Sequence, residues 1–219
     1  NASEVGTMLD AATRNNRLVV EAVWTRWQPR MQRMAQIVKS GELGEVIGIS
    51  SAFTFEGDLT DNYRLDPSLG GGALLDVGVY QAHLWLMLLN EDVSFSVESV
   101  ERTMGATGVD LTTRAQLQLS NSVAAQLLAS FDLPAQQQIQ VTGTTATMRT
   151  GEGEAFTLWK QPSTLLIGET VEHFEADDAF ALMVQDVSAA IQTEDAALFP
   201  SASSLRAAEI TDAISRYES

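Results

Sequence analysis

The sequence contains no cysteine. Disulfides, thiolate metal sites and a cysteine nucleophile are therefore excluded, and the composition suits a reducing compartment such as the cytoplasm. Histidine is nearly as scarce. His83 and His173 are the whole supply, so no histidine-rich metal centre is expected. Positive charge is also short: 13 Lys and Arg stand against 29 Asp and Glu, a formal net charge of −16. A field of that sign repels phosphate backbones, which makes nucleic acid a poor partner, and it favours solubility. No apolar run approaches the roughly 18 residues that cross a bilayer, so no membrane partner is expected. The opening Asn1-Ala2-Ser3-Glu4 lacks the basic-then-apolar order of a secretory signal.

What the sequence does hold is material for a sizeable core. Its 219 residues are 45% hydrophobic and 19% charged, the balance of an ordinary globular chain with one large domain, or one domain plus a fragment. Val5, Met8, Leu9 and Ala12 follow helical spacing, with Ser3 as the expected cap and Asn15-Asn16 as the stop. Residues 18–23 read as a buried strand. Pro29 suits the first turn of a second helix, Met31, Met34, Ala35 and Val38 line its inner face, and Gly41 ends it. From 45 to 55 the period becomes two, with Ile47, Ile49, Phe53 and Phe55 on one side. Strands are then expected at 93–100, 111–119, 123–133, 138–142, 145–149, 156–160 and 165–167, with Asn121-Ser122 joining two of them as a hairpin. Two helices close the chain. Asp178 would cap one whose Phe180, Met183, Val184, Val187 and Ile191 form one stripe. Ser201 or Ser203 would open the other, with Leu205, Ala208, Ala213, Ile214 and Tyr217 inside. This layout predicts an α+β fold: an open, mostly antiparallel sheet with helices on one face. The leading helix and strand look like the remnant of a separate α/β unit.

The most informative stretch is Gly70-Gly71-Gly72-Ala73-Leu74-Leu75-Asp76-Val77-Gly78-Val79-Tyr80. The glycines free the backbone, and the helix after them carries Asp76 and Tyr80 four residues apart on one face, with His83 further along it. An acid and a phenol beside a bend where a ligand could approach are candidate catalytic residues. The bland readings stay open: Tyr80 as a half-buried packing ring, Asp76 as a polar contact to the glycine turn, His83 as a satisfied core residue. Arg26, between Trp24 and Trp27, is either the cationic edge of a pocket walled by Trp24 or an arginine stacked on tryptophan. Arg64, in the loop before the glycines, either reaches the same pocket or is solvated. Residues 84–89 are apolar all round, so that helix is buried on most sides.

Three segments taken in order carry a resemblance: Glu21-Ala22-Val23-Trp24-Thr25-Arg26-Trp27-Gln28-Pro29, then Gly41-Glu42-Leu43-Gly44-Glu45-Val46, then Gly70 to Tyr80. Together they resemble the C-terminal domain of the glucose-fructose oxidoreductase / inositol dehydrogenase / MocA family. Tyr80, with Trp24-Thr25-Arg26 upstream, is most similar to its dihydrodiol dehydrogenase-like branch. The resemblance implies that residues 1–27 are a remnant of a Rossmann-type nucleotide-binding domain and residues 28–219 a substrate-binding and dimerisation domain. Family members begin with a Gly-rich fingerprint and a Glu-Lys-Pro segment bearing the catalytic lysine; this sequence contains neither. The implied parent moves a hydride between NAD or NADP and a sugar, polyol or dihydrodiol. Tyr80 would be its acid and base, Asp76 would orient the site, and Arg26, Trp24, Arg64 and His83 would meet substrate. No cofactor and no metal are expected on this chain, and no activity from it alone. The free face of the sheet would make a homodimer. The competing reading is a non-catalytic dimerisation or sugar-binding module.

Overall fold

The alternating segments form eight strands: β1 (Val46–Glu56), β2 (Phe95–Met104), β3 (Asp110–Leu119), β4 (Val123–Ser130), β5 (Asp132–Gly143), β6 (Thr147–Thr150), β7 (Ser163–Ile167) and β8 (Thr170–Phe174). The computed structural model describes residues 1–193 and 201–218. In it the strands make one sheet of order β2-β3-β4-β1-β5-β6-β7-β8. Every neighbouring pair is antiparallel except β1 and β4, which run parallel. The first strand therefore sits between two meanders, with Ser51 opposite both Leu127 and Ile139.

The helices are α1 (Ala2–Arg14), α2 (Pro29–Ser40), α3 (Val79–Leu88), α4 (Ala179–Thr193) and α5 (Ser201–Arg216). The core lies under them. Ile49, Phe53, Leu117, Leu127, Ile139 and Val141 of the sheet pack with Met34, Ile37, Leu84 and Trp85 of the helices. On the other face Arg114, Gln116, Gln126 and Gln136 are exposed. The α+β layout with one open, mostly antiparallel sheet is as the alternation predicts. Among the described residues no helix is long and apolar enough to cross a membrane. The punctuation of α2 also holds: Pro29 is in its first turn, and Gly41 ends it with φ +79°, the left-handed conformation glycine adopts freely.

Several local expectations are corrected. Asn1, not Ser3, caps α1, because Asn1 and Glu4 form a reciprocal capping box. Residues 18–23 are not a strand. No partner strand lies beside them among the described residues, and Leu18 is 47% exposed. The strand expected at 123–133 breaks at Phe131, whose N–H bonds to Leu111 O while Ser130 and Asp132 bond to each other. Residues 156–160 are not a strand either. The Gln137 side chain accepts from the N–H groups of Phe156 (2.8 Å) and Thr157 (2.9 Å), which removes both from any ladder, while the Phe156 ring stacks on Phe53. Trp159 is 49% exposed. Asp178 does cap α4, accepting from Ala181 N at 3.1 Å. Within the apolar stripe of α4, Met183 and Val187 are partly buried, while Val184 is 58% and Ile191 63% exposed. In α5 the inner line is Ser203, Ala207, Ile210 and Ile214 rather than Leu205, Ala208 and Ala213. Two carboxylates, Glu21 and Glu91, draw Ser204 and Ser203 inward.

Candidate active site

The glycine run is shaped by the chain itself. Gly71 N donates to Asp66 O and Gly72 N to Arg64 O, each at 2.9 Å. A Cβ on Gly71 would lie 2.5 Å from Arg64 O and 2.8 Å from Asp66 O, and one on Gly72 (φ +114°) would strike the Asp110 carboxylate. The close approach expected of a ligand is thus made by backbone carbonyls and by Asp110. That carboxylate also accepts from Leu74 N at 2.8 Å and Thr113 Oγ1 at 2.7 Å, so it caps the helix that follows.

That helix begins as a π-helical turn, Leu74–Gly78, and continues as α3. Wide turns of this kind occur often at functional sites. Gln81, fully buried, seats it. Its Nε2 donates to Leu128 O at 2.9 Å, and its Oε1 accepts from Ser51 Oγ at 2.8 Å and Leu128 N at 3.3 Å. One amide so ties α3 to both strands of the parallel pair.

Asp76 projects from the π turn. Its Oδ1 accepts from the Tyr63 hydroxyl at 3.1 Å and its Oδ2 from Arg64 Nε at 2.8 Å. The Arg64 guanidinium lies 4.7 Å over the Tyr63 ring. Tyr80, half-buried, packs near Phe53 and Phe156, with ring centroids 5.9 and 6.3 Å away. Burial pushes its phenol above the ordinary range and the Asp76 charge adds to this, while a hydrogen bond with the Trp24 side chain pulls the other way. Trp24 stacks on Phe180 at 4.9 Å, and Trp159 meets Phe180 edge-on. Four of the six sequence-selected residues therefore converge: Asp76, Tyr80, Trp24 and Arg64. Because the Asp76 charge raises both Tyr80 and Tyr63, Asp76→Asn is expected to lower the pH at which both ionise. Tyrosinate absorbance followed against pH checks this; an unmoved or upward titration would contradict it.

Arg26 and His83 are turned inward instead. Arg26, 7% exposed, donates from Nη2 to Glu91 at 2.8 Å, and Glu91 also takes the Ser203 hydroxyl. His83, 1% exposed, lies with Nε2 3.1 Å from Glu21 Oε2. Burial opposes the Glu21 charge, yet His83, Ser204 and Arg26 together hold its carboxyl below the usual carboxylate range. These pairs bind the segment around Trp24 to α3 and α5. Sequence reading missed Tyr63, Gln81, Glu21 and Asp110. Only Gln81 had a local signal, as a polar residue inside an otherwise apolar helix.

The sequence profile of the GFO/IDH/MocA C-terminal domain matches residues 31–149. The chain belongs to the GFO/IDH/MocA family. Among similar proteins, D-xylose 1-dehydrogenase (NADP(+)) 2 of Haloferax volcanii is 28% identical over all of this chain and 67% of its own length. Trans-1,2-dihydrobenzene-1,2-diol dehydrogenase of Mus musculus is 28% identical over 78% of this chain and 50% of its own. This family member therefore spans between half and two thirds of the length of those relatives. The fold also matches KijD10, a 3-ketoreductase from Actinomadura kijaniata solved with NADP and TDP-benzene (TM-score 0.86, 23% identity, 98% of this chain and 67% of that one). It matches an aldose-aldose oxidoreductase from Caulobacter crescentus as well (TM-score 0.87, 19% identity, 98% and 66%).

The Gly70–Gly72 turn does not fit the pyrophosphate of a dinucleotide. A dinucleotide's pyrophosphate needs a glycine turn opening onto free N–H groups at a helix start. Here the Gly70–Gly72 turn is filled by the carbonyls of Arg64 and Asp66, and the helix start holds the Asp110 carboxylate, a charge of the wrong sign.

Proposed function

We infer that this chain is the substrate side of an NAD(P)-dependent oxidoreductase acting on a sugar, a polyol or a dihydrodiol. The observation that carries this reading is the convergence of Tyr80, Asp76, Arg64 and Trp24 on one seated helix in a family of oxidoreductases. On this reading residues 1–27 are the edge of a nucleotide-binding domain and residues 28–219 the substrate-binding and dimerisation domain. The nicotinamide, held by polypeptide beyond these residues, supplies or accepts the hydride.

Tyr80 handles the proton. In reduction its phenol donates to the carbonyl oxygen of the substrate; in oxidation the phenolate takes the hydroxyl proton. Burial and Asp76 favour the neutral phenol, the form needed for donation. The basic direction needs a nearby cation to favour phenolate, which is the role of a lysine ammonium on the rest of the parent. Asp76, anchored by Arg64, fixes the helix turn that aims Tyr80, and Trp24 with Phe180 forms an apolar wall. Arg26 and His83 act from behind, through Glu91 and Glu21, by holding Trp24 in place. The exposed faces of Phe180, Val184 and Ile191 suit burial against the remainder of the parent.

The helix-free face of the sheet is the proposed homodimer surface. Gln116, Gln126, Ser50 and Gln140 stand in register across four strands, a row of amides and a hydroxyl able to exchange hydrogen bonds with its own copy. The test pairs the full-length enzyme with this chain. The parent is expected to oxidise D-xylose or a dihydrodiol with NADP+ or NAD+, and the chain alone to do neither while scattering light as a dimer. Turnover by the chain alone would refute the division of the site. A dimer without any turnover by the parent would favour the non-catalytic reading.

A further inference from the structure

The acid beside Tyr80 is not the first group that an arriving hydroxyl meets. Both Asp76 oxygens are engaged, and its side chain is 17% exposed, whereas Tyr63 is 52% exposed. The Tyr63 hydroxyl donates its hydrogen to Asp76 Oδ1, which leaves its oxygen lone pairs to accept. A hydroxyl donating into them completes a chain from substrate through Tyr63 to a carboxylate, and the charged end strengthens both links. The ring itself is pinned by the Arg64 guanidinium above it. Tyr63, Asp76 and Tyr80 are near enough for each charge to act on its neighbours.

We propose that Tyr63 recognises the second hydroxyl of a vicinal diol, next to the carbon whose oxygen Tyr80 would serve. The proposal rests on the oxidoreductase reading above and assigns a residue to the feature its substrates share. Sugars, polyols and dihydrodiols differ in ring and chain but share adjacent hydroxyls. Tyr80 accounts for one oxygen of that pair and leaves the other without a partner; Tyr63 supplies it. The bond to Asp76 fixes the Tyr63 hydroxyl as a hydrogen-bond relay while Tyr80 exchanges its proton.

Tyr63→Phe removes one oxygen and keeps the ring under Arg64. The probes are D-xylose and 2-deoxy-D-xylose, which lacks the neighbouring hydroxyl. In the full-length enzyme the preference for D-xylose is expected to fall about tenfold, the worth of one hydrogen bond, with the loss in KM rather than kcat. Equal losses on both sugars would mark a structural role and overturn the proposal, as would an unchanged preference. The same pair is titrated by NMR against this chain, wild type and Tyr63→Phe. Should the enzyme oxidise neither sugar while the binding preference still collapses in the variant, the oxidoreductase reading fails and the Tyr63 assignment stands. A wild-type chain that binds both sugars alike, or binds neither, overturns the assignment.

Discussion

Tyr80→Phe in the full-length enzyme is expected to lower kcat by about 100-fold to 10,000-fold, the range that general acid–base catalysis contributes. The substitution deletes the hydroxyl proposed to pass the proton and retains the ring. Phe53 and Phe156 line one side of that ring, so its packing survives. The hydrogen bond with Trp24 is lost at a cost of about 1 kcal/mol. Stability therefore changes little while turnover collapses, and thermal melting run beside the kinetics separates the two. The rate–pH profile is expected to lose the limb belonging to the phenol. A kcat within about tenfold of wild type, below what acid–base catalysis supplies, would assign proton transfer to another group.

Gly71→Ala is expected to cost stability through a backbone clash. The new Cβ would sit 2.5 Å from Arg64 O and 2.8 Å from Asp66 O. Both obstacles are backbone, so no side-chain rotation relieves them. The short 3-10 turns Tyr63–Leu65 and Pro67–Leu69 would have to move, and with them the bonds from Gly71 and Gly72 that close the loop. The expected cost is about 3 kcal/mol, or roughly 6–12 °C in Tm for a chain of this size. The shift would also detach Arg64 from Asp76, so the parent would lose activity out of proportion to unfolding. A Tm within about 2 °C of wild type would show that the loop yields cheaply.

Where the physics is local, the sequence reads true. Pro29 and Gly41 bracket α2 because φ preferences act at single residues. The alternation of Arg114, Gln116 and Gln118 against Ala115, Leu117 and Leu119 sorts β3 correctly because one face is buried and the other free. Some of the misreadings come from distant side chains. Residues 156–160 have a strand-like pattern, but Gln137 takes their N–H groups first. The α4 stripe has the right period, yet Val184 and Ile191 within it are exposed. At the site, the Asp76–Tyr80 spacing was legible, but its meaning was only half so. The glycines look like room for a ligand until Asp110, in another element, is found filling the space. Tyr63 lies in a loop with no periodicity at all, and only the fold brings it to Asp76.

The single parallel pairing in the sheet has a consequence for how the site comes into being. The strands β2 to β4 and β5 to β8 each pair along a local meander whose loops, the longest at residues 151–162, carry small closure entropy. Only β1 joins the two groups, and its parallel register sets Ile49 beside Ala125, far along the chain. Such long-range closure is the slow kind of step in folding. Gln81 needs Ser51 on β1 and Leu128 on β4 to fill its hydrogen bonds. The helix bearing Asp76 and Tyr80 thus has no complete seat until that closure is made. A chain in which only the meanders have formed owns most of its sheet and none of its site.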